Sequence, residues 1–341
     1  MSPRDRFLKA LRGKPTDMPA VGSPTSLATV DLMEASGCFF PDVHNDAEKM
    51  AELAATAYEM LGYDAIAPYF SVIQEAAAMG AHMDWGERSR MPSVRPFPET
   101  GRYLYEEPEE IDIPANFLER RPTRTVLDAL RILKRRYDDE VALVGKVFGP
   151  WTLAYHLFGL ENFLMLVLDD QEKLRRILGR LAEITVLYAN AQIEAGADCL
   201  TLADHLTGDL CRAEVYRDLL LPVHQQLAPR LPCPVILHIC GRTLDRMPYI
   251  AQSGFAAFHF DSRNDAREAV AAVGGRIRLI GNVNNPDTLY HGKLAQVDAE
   301  VDYALKAGVA IIAPECAVPV NMDSRPLRRI VEAARGIGKA S

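Results

Sequence analysis

The sequence predicts an α/β fold, a (β/α)8 TIM barrel. Eight short apolar runs alternate with longer stretches in which apolar residues recur at helical spacing, which indicates a parallel sheet covered by helices. Polar and thiol side chains gather directly after these runs, where the carboxyl ends of the strands would meet at a barrel mouth. A barrel of this kind accommodates the whole chain as a single domain, residues 1–341.

The first half of the chain supplies three strands. Residues 3–12 are amphipathic and predict an N-terminal helical extension before the first strand, at 18–22. Apolar residues recur every three or four positions over 46–62, which predicts a helix. The apolar runs 64–70 and 141–148 predict the second and third strands.

An irregular region separates those two strands. Residues 78–120 are rich in Pro, Gly, Arg and Glu and lack periodicity, which predicts an excursion near the barrel mouth. Helical periodicity returns over 123–137, directly before the third strand.

The second half of the chain alternates regularly. Its predicted strands are 197–202, 234–238, 256–260, 277–280 and 308–313. Its predicted helices are 152–167, 170–195, 212–231, 265–273 and 295–307.

Composition excludes several classes of function. The net charge is 38 − 46 = −8 with no basic run, so nucleic acid is not expected as a partner. No apolar stretch approaches the ~18 residues of a membrane span. No secretory signal is recognised, and the six cysteines are scattered, so we expect reduced thiols and a cytoplasmic location. The sequence fixes no oligomeric state, and a homo-oligomer is compatible with it.

Three residues form a candidate metal site. His238 and Cys240 end a buried strand, where residues two apart share one face. Cys316 follows the eighth strand and would face the same cavity from the other side of the mouth. A neutral imidazole and two thiolates suit zinc with one open position. The alternative is a core histidine beside buried thiols.

Several stretches carry a family resemblance. They are residues 6–13, 147–152, 195–198, 238–241, 281–282 and 313–316. With them the chain resembles the uroporphyrinogen decarboxylase superfamily, in its methylcobamide:coenzyme M methyltransferase branch. That resemblance implies a TIM barrel whose zinc is held by His238, Cys240 and Cys316. The Arg-Gln-Ala-Gly-Arg-Tyr motif of the decarboxylases is absent, and residues 318–323 stand where many relatives have a Thr-Pro.

The resemblance implies methyl transfer. A zinc-bound thiolate such as that of coenzyme M would attack the methyl group of a methylcorrinoid. The corrinoid is expected on a separate partner protein, because the chain lacks an Asp-x-His-x-x-Gly cobalamin motif. The alternative is the opposite half-reaction, in which an O-, N- or S-methyl compound methylates the corrinoid protein. Porphyrinogen decarboxylation and a non-enzymatic binding protein are the remaining hypotheses.

Other residues near strand ends are candidates for the rest of the site. The catalytic candidates are Asp204, Asp261 and Glu315, of which the last two are also candidates for the fourth zinc ligand. The candidates for corrinoid contact are Phe148, Trp151 and Asn282. The candidates for small-molecule binding are Tyr69, Gln74, His205 and Arg242. Helix capping, core packing and a solvated arginine are the alternative roles.

Overall fold

The structure, a computed structural model that describes residues 1–337, confirms the barrel. Nearly all of its eight strands begin within two residues of the predicted start. A short antiparallel hairpin lies between the second and third barrel strands, and its strands are numbered in the same series. The barrel strands are β1 (Ala20–Val21), β2 (Ala65–Ile66), β5 (Ala142–Phe148), β6 (Cys199–Ala203), β7 (Val235–Ile239), β8 (Ala257–Phe260), β9 (Arg278–Val283) and β10 (Ile311–Pro314), and the hairpin strands are β3 (Met83–Asp84) and β4 (Ser93–Val94). The barrel strands pair in parallel in the order β1-β10-β9-β8-β7-β6-β5-β2.

Helices cover the outside of the sheet. The N-terminal ones are α1 (Pro3–Leu11), α2 (Val30–Ser36), α3 (Ala47–Glu59), α4 (Gln74–Met79) and α5 (Arg121–Tyr137). The middle ones are α6 (Pro150–Phe158), α7 (Leu160–Asp169), α8 (Gln171–Glu194), α9 (Ala213–Val215) and α10 (Leu221–Leu227). The last are α11 (Met247–Ile250), α12 (Ala266–Val273), α13 (Leu294–Ala307) and α14 (Arg325–Ala334).

Two predicted helices are interrupted. The helix expected over 152–167 is split into α6 and α7 at Gly159, whose φ of 83° no helix interior adopts. A Cβ at this glycine would lie 2.6 Å from the Tyr103 ring, so the break also lets the excursion approach. The helix expected over 212–231 contains a π-helical segment, Tyr216–Leu220, shortly before Pro222, which lacks an amide donor.

Small and branched side chains fill the lower barrel interior. One residue in two on each strand points inward, and those at the amino-terminal ends pack together and against Phe7, Leu8 and Leu11 of α1. The inward set is Ala20, Ala65, Ala142, Val144, Cys199, Ile236, Ala257, Ile280, Ile311 and Ala313. Helix α1 therefore plugs the amino-terminal end, and the same alternation sends Lys146, Thr201, His238 and His259 inward at the carboxyl end.

Asp64 closes the barrel where β1 and β2 lack a ladder of their own. Its amide donates to Val21 O at 2.7 Å, and its carboxylate accepts from Val21 N at 2.9 Å. The same fully buried carboxylate accepts from Arg6 of α1 at 2.6 Å and from Arg335, just after α14, at 2.8 Å. One side chain thus joins the first strand to both ends of the described chain.

The excursion predicted over 78–120 is irregular apart from the β3–β4 hairpin and a 3-10 turn at Pro108–Glu110. It packs beside the helices that follow β5. The amide of Tyr105 donates to Leu157 O of α6 at 3.0 Å, and Lys173 of α8 pairs with Glu107 at 2.8 Å.

Helices α6 and α7 are the apolar pair of the chain. Within residues 1–337 neither they nor any other single helix is long and apolar enough to cross a membrane. Taken together the two meet the length and composition of a span, but they are bent by 116° at Gly159.

Candidate metal centre

Two sulfurs and an imidazole nitrogen converge at the carboxyl end of the barrel. Cys240 Sγ lies 2.8 Å from Cys316 Sγ and 3.1 Å from His238 Nε2, and Cys316 Sγ lies 3.5 Å from the same nitrogen. His238 is inward on β7, Cys240 follows that strand, and Cys316 follows β10. The structure therefore brings together the three residues that the sequence analysis selected as metal ligands.

The two thiols lie within hydrogen-bond distance of each other. Cys316 accepts a hydrogen bond from Cys240, which lowers the pKa of Cys316, whereas that bond and burial raise the pKa of Cys240 well above its ordinary value. Their separation is longer than the ~2.05 Å of a disulfide and shorter than the roughly 3.7 Å that two sulfurs take on a tetrahedral zinc. Metal binding would therefore displace the hydrogen-bonded proton and widen the pair, as thiolate ligation requires.

The histidines around the sulfurs are neutral, which is the form that binds metals. Burial lowers the pKa of His238 well below its ordinary value, and protonation of the neighbouring His259 or His205 would lower it further. The His238 ring stacks on His259 at a centroid distance of 4.6 Å, and His259 Nε2 donates to Pro314 O at 2.8 Å. His259 thus anchors the ring of His238 to the end of β10.

His205 is a fourth donor at the same point. Its Nε2 lies 3.7 Å from Cys240 Sγ, and its ring meets that of His238 edge-on at 5.4 Å. Its Nδ1 lies 3.4 Å from the Tyr155 hydroxyl and 3.5 Å from Thr152 Oγ, and burial lowers its pKa to about 4. The sequence analysis proposed His205 for substrate binding, and in the structure its ring nitrogen joins His238 and Cys240 in a group that could hold a metal ion.

Asp204 acts on His205 through Thr152. Its carboxylate accepts from the Thr152 amide at 2.8 Å and from His224 Nε2 at 3.0 Å, and all three side chains are fully buried. Thr152 Oγ in turn accepts from the His205 amide at 2.8 Å. Asp204 is therefore a positioning residue that fixes the first turn of α6 against the loop carrying His205.

Gly149 makes room for this carboxylate, and its replacement by alanine is expected to destabilise the site. A Cβ at this position would lie 2.2 Å from Asp204 Cγ, with both groups held by buried contacts. We expect Gly149→Ala to lower the free energy of unfolding by about 1–3 kcal/mol. Gly179→Ala on α8, where nothing lies within 4 Å, is the control and should be neutral or stabilising in the same thermal unfolding assay. Equal melting temperatures for the two variants would contradict this account.

Asp261 and Glu315 hold loops at the carboxyl end of the barrel. Asp261 accepts from the amides of Gly241 and Arg263 at 2.8 and 2.9 Å. Glu315 accepts from the amides of Ser262 and Asn285 at 2.9 and 2.8 Å. Both oxygens of each carboxylate therefore accept hydrogen bonds from loop amides, and both charges act on the nearby thiols of Cys240 and Cys316.

Two buried asparagines that sequence reasoning missed also hold these loops. Asn264 accepts from the amides of Thr243 and Leu244 and donates to Gly241 O at 2.9 Å. Asn285 donates to the carbonyl oxygens of Cys316 and Ala317 at 3.3 and 3.0 Å. The loop after each cysteine is thus held by an amide side chain from a neighbouring loop.

The three residues predicted to contact corrinoid make other contacts in this structure. Phe148 and Trp151 are at most 1% exposed, and Trp151 packs edge-on against Phe163 at 4.8 Å. Asn282 donates to Asn264 O at 3.2 Å. Phe148 and Trp151 are thus buried, whereas Asn282 is half-buried.

The residues predicted to bind substrate are scattered. The Arg242 side chain is 76% exposed and faces Asp209, so it lies outside the cavity. Gln74 is buried and donates to His44 O at 2.8 Å. Tyr69 is buried inside the barrel, where its hydroxyl donates to Glu75. Of the four, only His205 reaches the sulfurs.

Fold and site together define the class: a TIM-barrel protein with clustered thiols and imidazoles that could hold a metal ion, at the mouth where such barrels place their active sites. The model of the uroporphyrinogen decarboxylase (URO-D) family matches residues 2–337. The chain belongs to this family.

Its similar relatives include methyltransferases. It is 31% identical to the methylcobamide:CoM methyltransferase MtaA of Methanosarcina barkeri, over 97% of this chain and 96% of that protein. It is also 31% identical to a methylated-thiol–coenzyme M methyltransferase of Methanosarcina mazei, over 98% and 89% of the two chains. A solved methyltransferase from Methanosarcina mazei superposes with a TM-score of 0.93 at 30% identity, covering 98% of each chain.

Proposed function

We propose that this protein is a zinc-dependent methyltransferase that moves a methyl group from a corrinoid protein to a small thiol. The observation that carries the proposal is the convergence of Cys240, Cys316 and His238 at the mouth of a barrel whose relatives are named methylcobamide:CoM methyltransferases. A soft, thiolate-rich donor set of this kind suits zinc. The corrinoid would arrive on a partner protein that docks at the mouth.

The donor set fits zinc both in chemistry and in access. Bound there, zinc would lower the pKa of a substrate thiol and hold the resulting thiolate as a nucleophile. The sulfurs of Cys240 and Cys316 belong to half-buried residues, whereas His238 is 2% exposed. The thiol would therefore approach from the sulfur side, with His238 behind the ion.

We assign the fourth position in the substrate-free protein to His205. Its neutral ring lies 3.7 Å from Cys240 Sγ, and its hydrogen bonds to Tyr155 and Thr152 are long, at 3.4 and 3.5 Å. Because these hydrogen bonds are long, a substrate thiol could displace His205 from this position. His238, by contrast, lies on strand β7. The two cysteines lie in loops that Asn264 and Asn285 hold by hydrogen bonds.

The opposite half-reaction, methylation of the corrinoid protein by a methyl compound, would use the same donors. The relatives named above support the thiol acceptor, since their names specify coenzyme M. Porphyrinogen decarboxylation is disfavoured because the arginine-rich N-terminal motif of those enzymes is missing and a zinc-type thiol pair stands in the cavity.

The test is the reaction of the zinc-loaded protein with free methylcobalamin and a panel of thiols. We expect loss of the methylcobalamin spectrum together with formation of the methylated thiol, both abolished by chelation and restored by zinc. Cob(I)alamin and methyl compounds form the second arm. A reaction confined to that arm would favour the opposite half-reaction, and thiol methylation that persists without zinc would overturn the proposed role of the metal.

A further inference from the structure

His224 is a buried histidine that the proposed function does not use. It lies on α10, and both of its ring nitrogens have a side-chain partner. Its Nε2 lies 3.0 Å from Asp204 Oδ2, and its Nδ1 lies 3.0 Å from the Tyr216 hydroxyl. All three side chains are fully buried, where polar groups require satisfied hydrogen bonds. The three residues therefore form one buried hydrogen-bonded unit.

The backbone is irregular at the point where this unit forms. A regular α-helix turns by about 100° per residue, so side chains eight positions apart diverge by about 80°. The π-helical segment Tyr216–Leu220 takes one more residue in its turn, which brings Tyr216 and His224 back to one face. Turns of this kind are frequent at functional sites. The π-helical turn is thus what allows the hydroxyl to reach the ring.

The carboxylate fixes the direction of the hydrogen bonds. An ionised carboxylate only accepts, so His224 donates from Nε2 to Asp204, and its Nδ1 accepts from the Tyr216 hydroxyl. Within residues 1–337 no lysine or arginine pairs with Asp204. His224 is therefore the side chain that stabilises this buried carboxylate, and removing such a partner is costly.

The hydrogen bonds continue from Asp204 to His205. Asp204 Oδ1 accepts from the Thr152 amide at 2.8 Å. Thr152 Oγ accepts from the His205 amide at 2.8 Å and lies 3.5 Å from His205 Nδ1, so it contacts both the backbone and the ring. A continuous chain of hydrogen bonds thus leads from Tyr216 and His224 to the ring assigned above to the fourth metal position.

We propose that His224 is a positioning residue for His205, and that it thereby sets how readily a substrate thiol reaches the metal. Without its Nε2 donor, one oxygen of the Asp204 carboxylate is left unpaired in a buried place. The carboxylate then shifts towards another donor and moves the turn at Thr152, so that the His205 ring no longer aligns with the metal. This inference rests on the proposed function for the metal and for the role of His205.

The competing account makes His224 a packing residue of the fold. That account predicts that its loss disturbs the metal centre equally with and without substrate. His224→Phe keeps a ring but removes both hydrogen bonds, whereas His224→Gln keeps an amide donor for Asp204. His205→Gln serves as the reference for a lost fourth ligand, and His291→Phe, which changes an exposed histidine, is the control.

The experiment records the visible spectrum of the cobalt(II)-loaded protein with and without coenzyme M. We expect His224→Phe to change the spectrum of the thiol-free protein as His205→Gln does, and to leave that of the thiol-bound protein unchanged, because the thiol displaces His205. Coenzyme M should bind about 3- to 10-fold more tightly, since the thiol no longer competes with a protein ligand. His224→Gln should restore the original spectrum, and His291→Phe should match the unmodified protein.

Several results would overturn the positioning role. They are an unchanged thiol-free spectrum, an altered thiol-bound spectrum, and weaker binding of coenzyme M in His224→Phe. Should that variant fail to fold, Tyr216→Phe decides, because it removes only the hydroxyl on Nδ1 and should shift the thiol-free spectrum in the same direction. The expected spectral shifts without methyl transfer from methylcobalamin would retain the positioning role and reject the proposed function. Absence of cobalt uptake by the unmodified protein would overturn both.

Discussion

Cys316→Ser is expected to abolish zinc binding while leaving the barrel folded. A serine hydroxyl is not a thiolate, and the change leaves Cys240 as the one thiolate beside the imidazoles of His238 and His205. Loss of a direct ligand should exceed the ~10–100-fold fall in metal affinity that follows loss of an outer-shell partner. We therefore expect about one zinc per chain in the unmodified protein and little in the variant.

The measurement is metal content after dialysis, read beside the circular dichroism spectrum of the same sample. Cys211→Ser is the matched control, since Cys211 is a free, half-buried cysteine away from the sulfur pair. Methyl transfer should fall with zinc in Cys316→Ser and persist in Cys211→Ser. Full zinc retention in Cys316→Ser would remove this residue from the metal site.

Asp64→Ala is expected to cause the largest loss of stability of any single change at the barrel seam. The change leaves the Val21 amide without its acceptor and removes the shared partner of Arg6 and Arg335. Burial raises the pKa of Asp64 even though both arginines oppose that shift, so its charge depends on these partners. Removing one member of such a buried network typically costs about 3–5 kcal/mol.

The control for this prediction is an ion pair at the surface. Arg230 and Glu183 make two bonds of 2.7 Å, yet their side chains are 40% and 54% exposed. Glu183→Gln should change the free energy of unfolding by less than about 1 kcal/mol. Urea and thermal unfolding of both variants check the contrast, and a small effect of Asp64→Ala would mean that the seam is held by other contacts.

The fold was predictable because the signals that define a barrel are local. Each strand is a short apolar run, and residue alternation along it does not depend on the rest of the chain. The breaks in helices were not predictable in the same way. Gly159 interrupts a helix because Tyr103 from a distant loop packs there, and no pattern within the helix reports that contact.

The convergence of the sulfur and imidazole donors was predictable because the residue types themselves indicate metal-binding chemistry. The spacing of His238 and Cys240 and the position of Cys316 sufficed to place the donors together. The supporting residues were not predictable, because Asn264 and Asn285 act through backbone groups of other loops. Residue type also does not show exposure, so the sequence analysis selected Arg242 although its side chain is 76% exposed.

The bonds from Asp261 and Glu315 to loop amides have a consequence for metal exchange. The donors are ordered by the protein before any ion arrives, so metal uptake is not coupled to folding as it is in a zinc finger. We therefore expect a rigid chelate, in which the rate of metal uptake is governed by ion access and by loss of the thiol protons. Cobalt(II) should therefore replace zinc by simple dialysis into the folded chain, giving the centre a visible absorption spectrum in which each thiolate ligand can be followed directly.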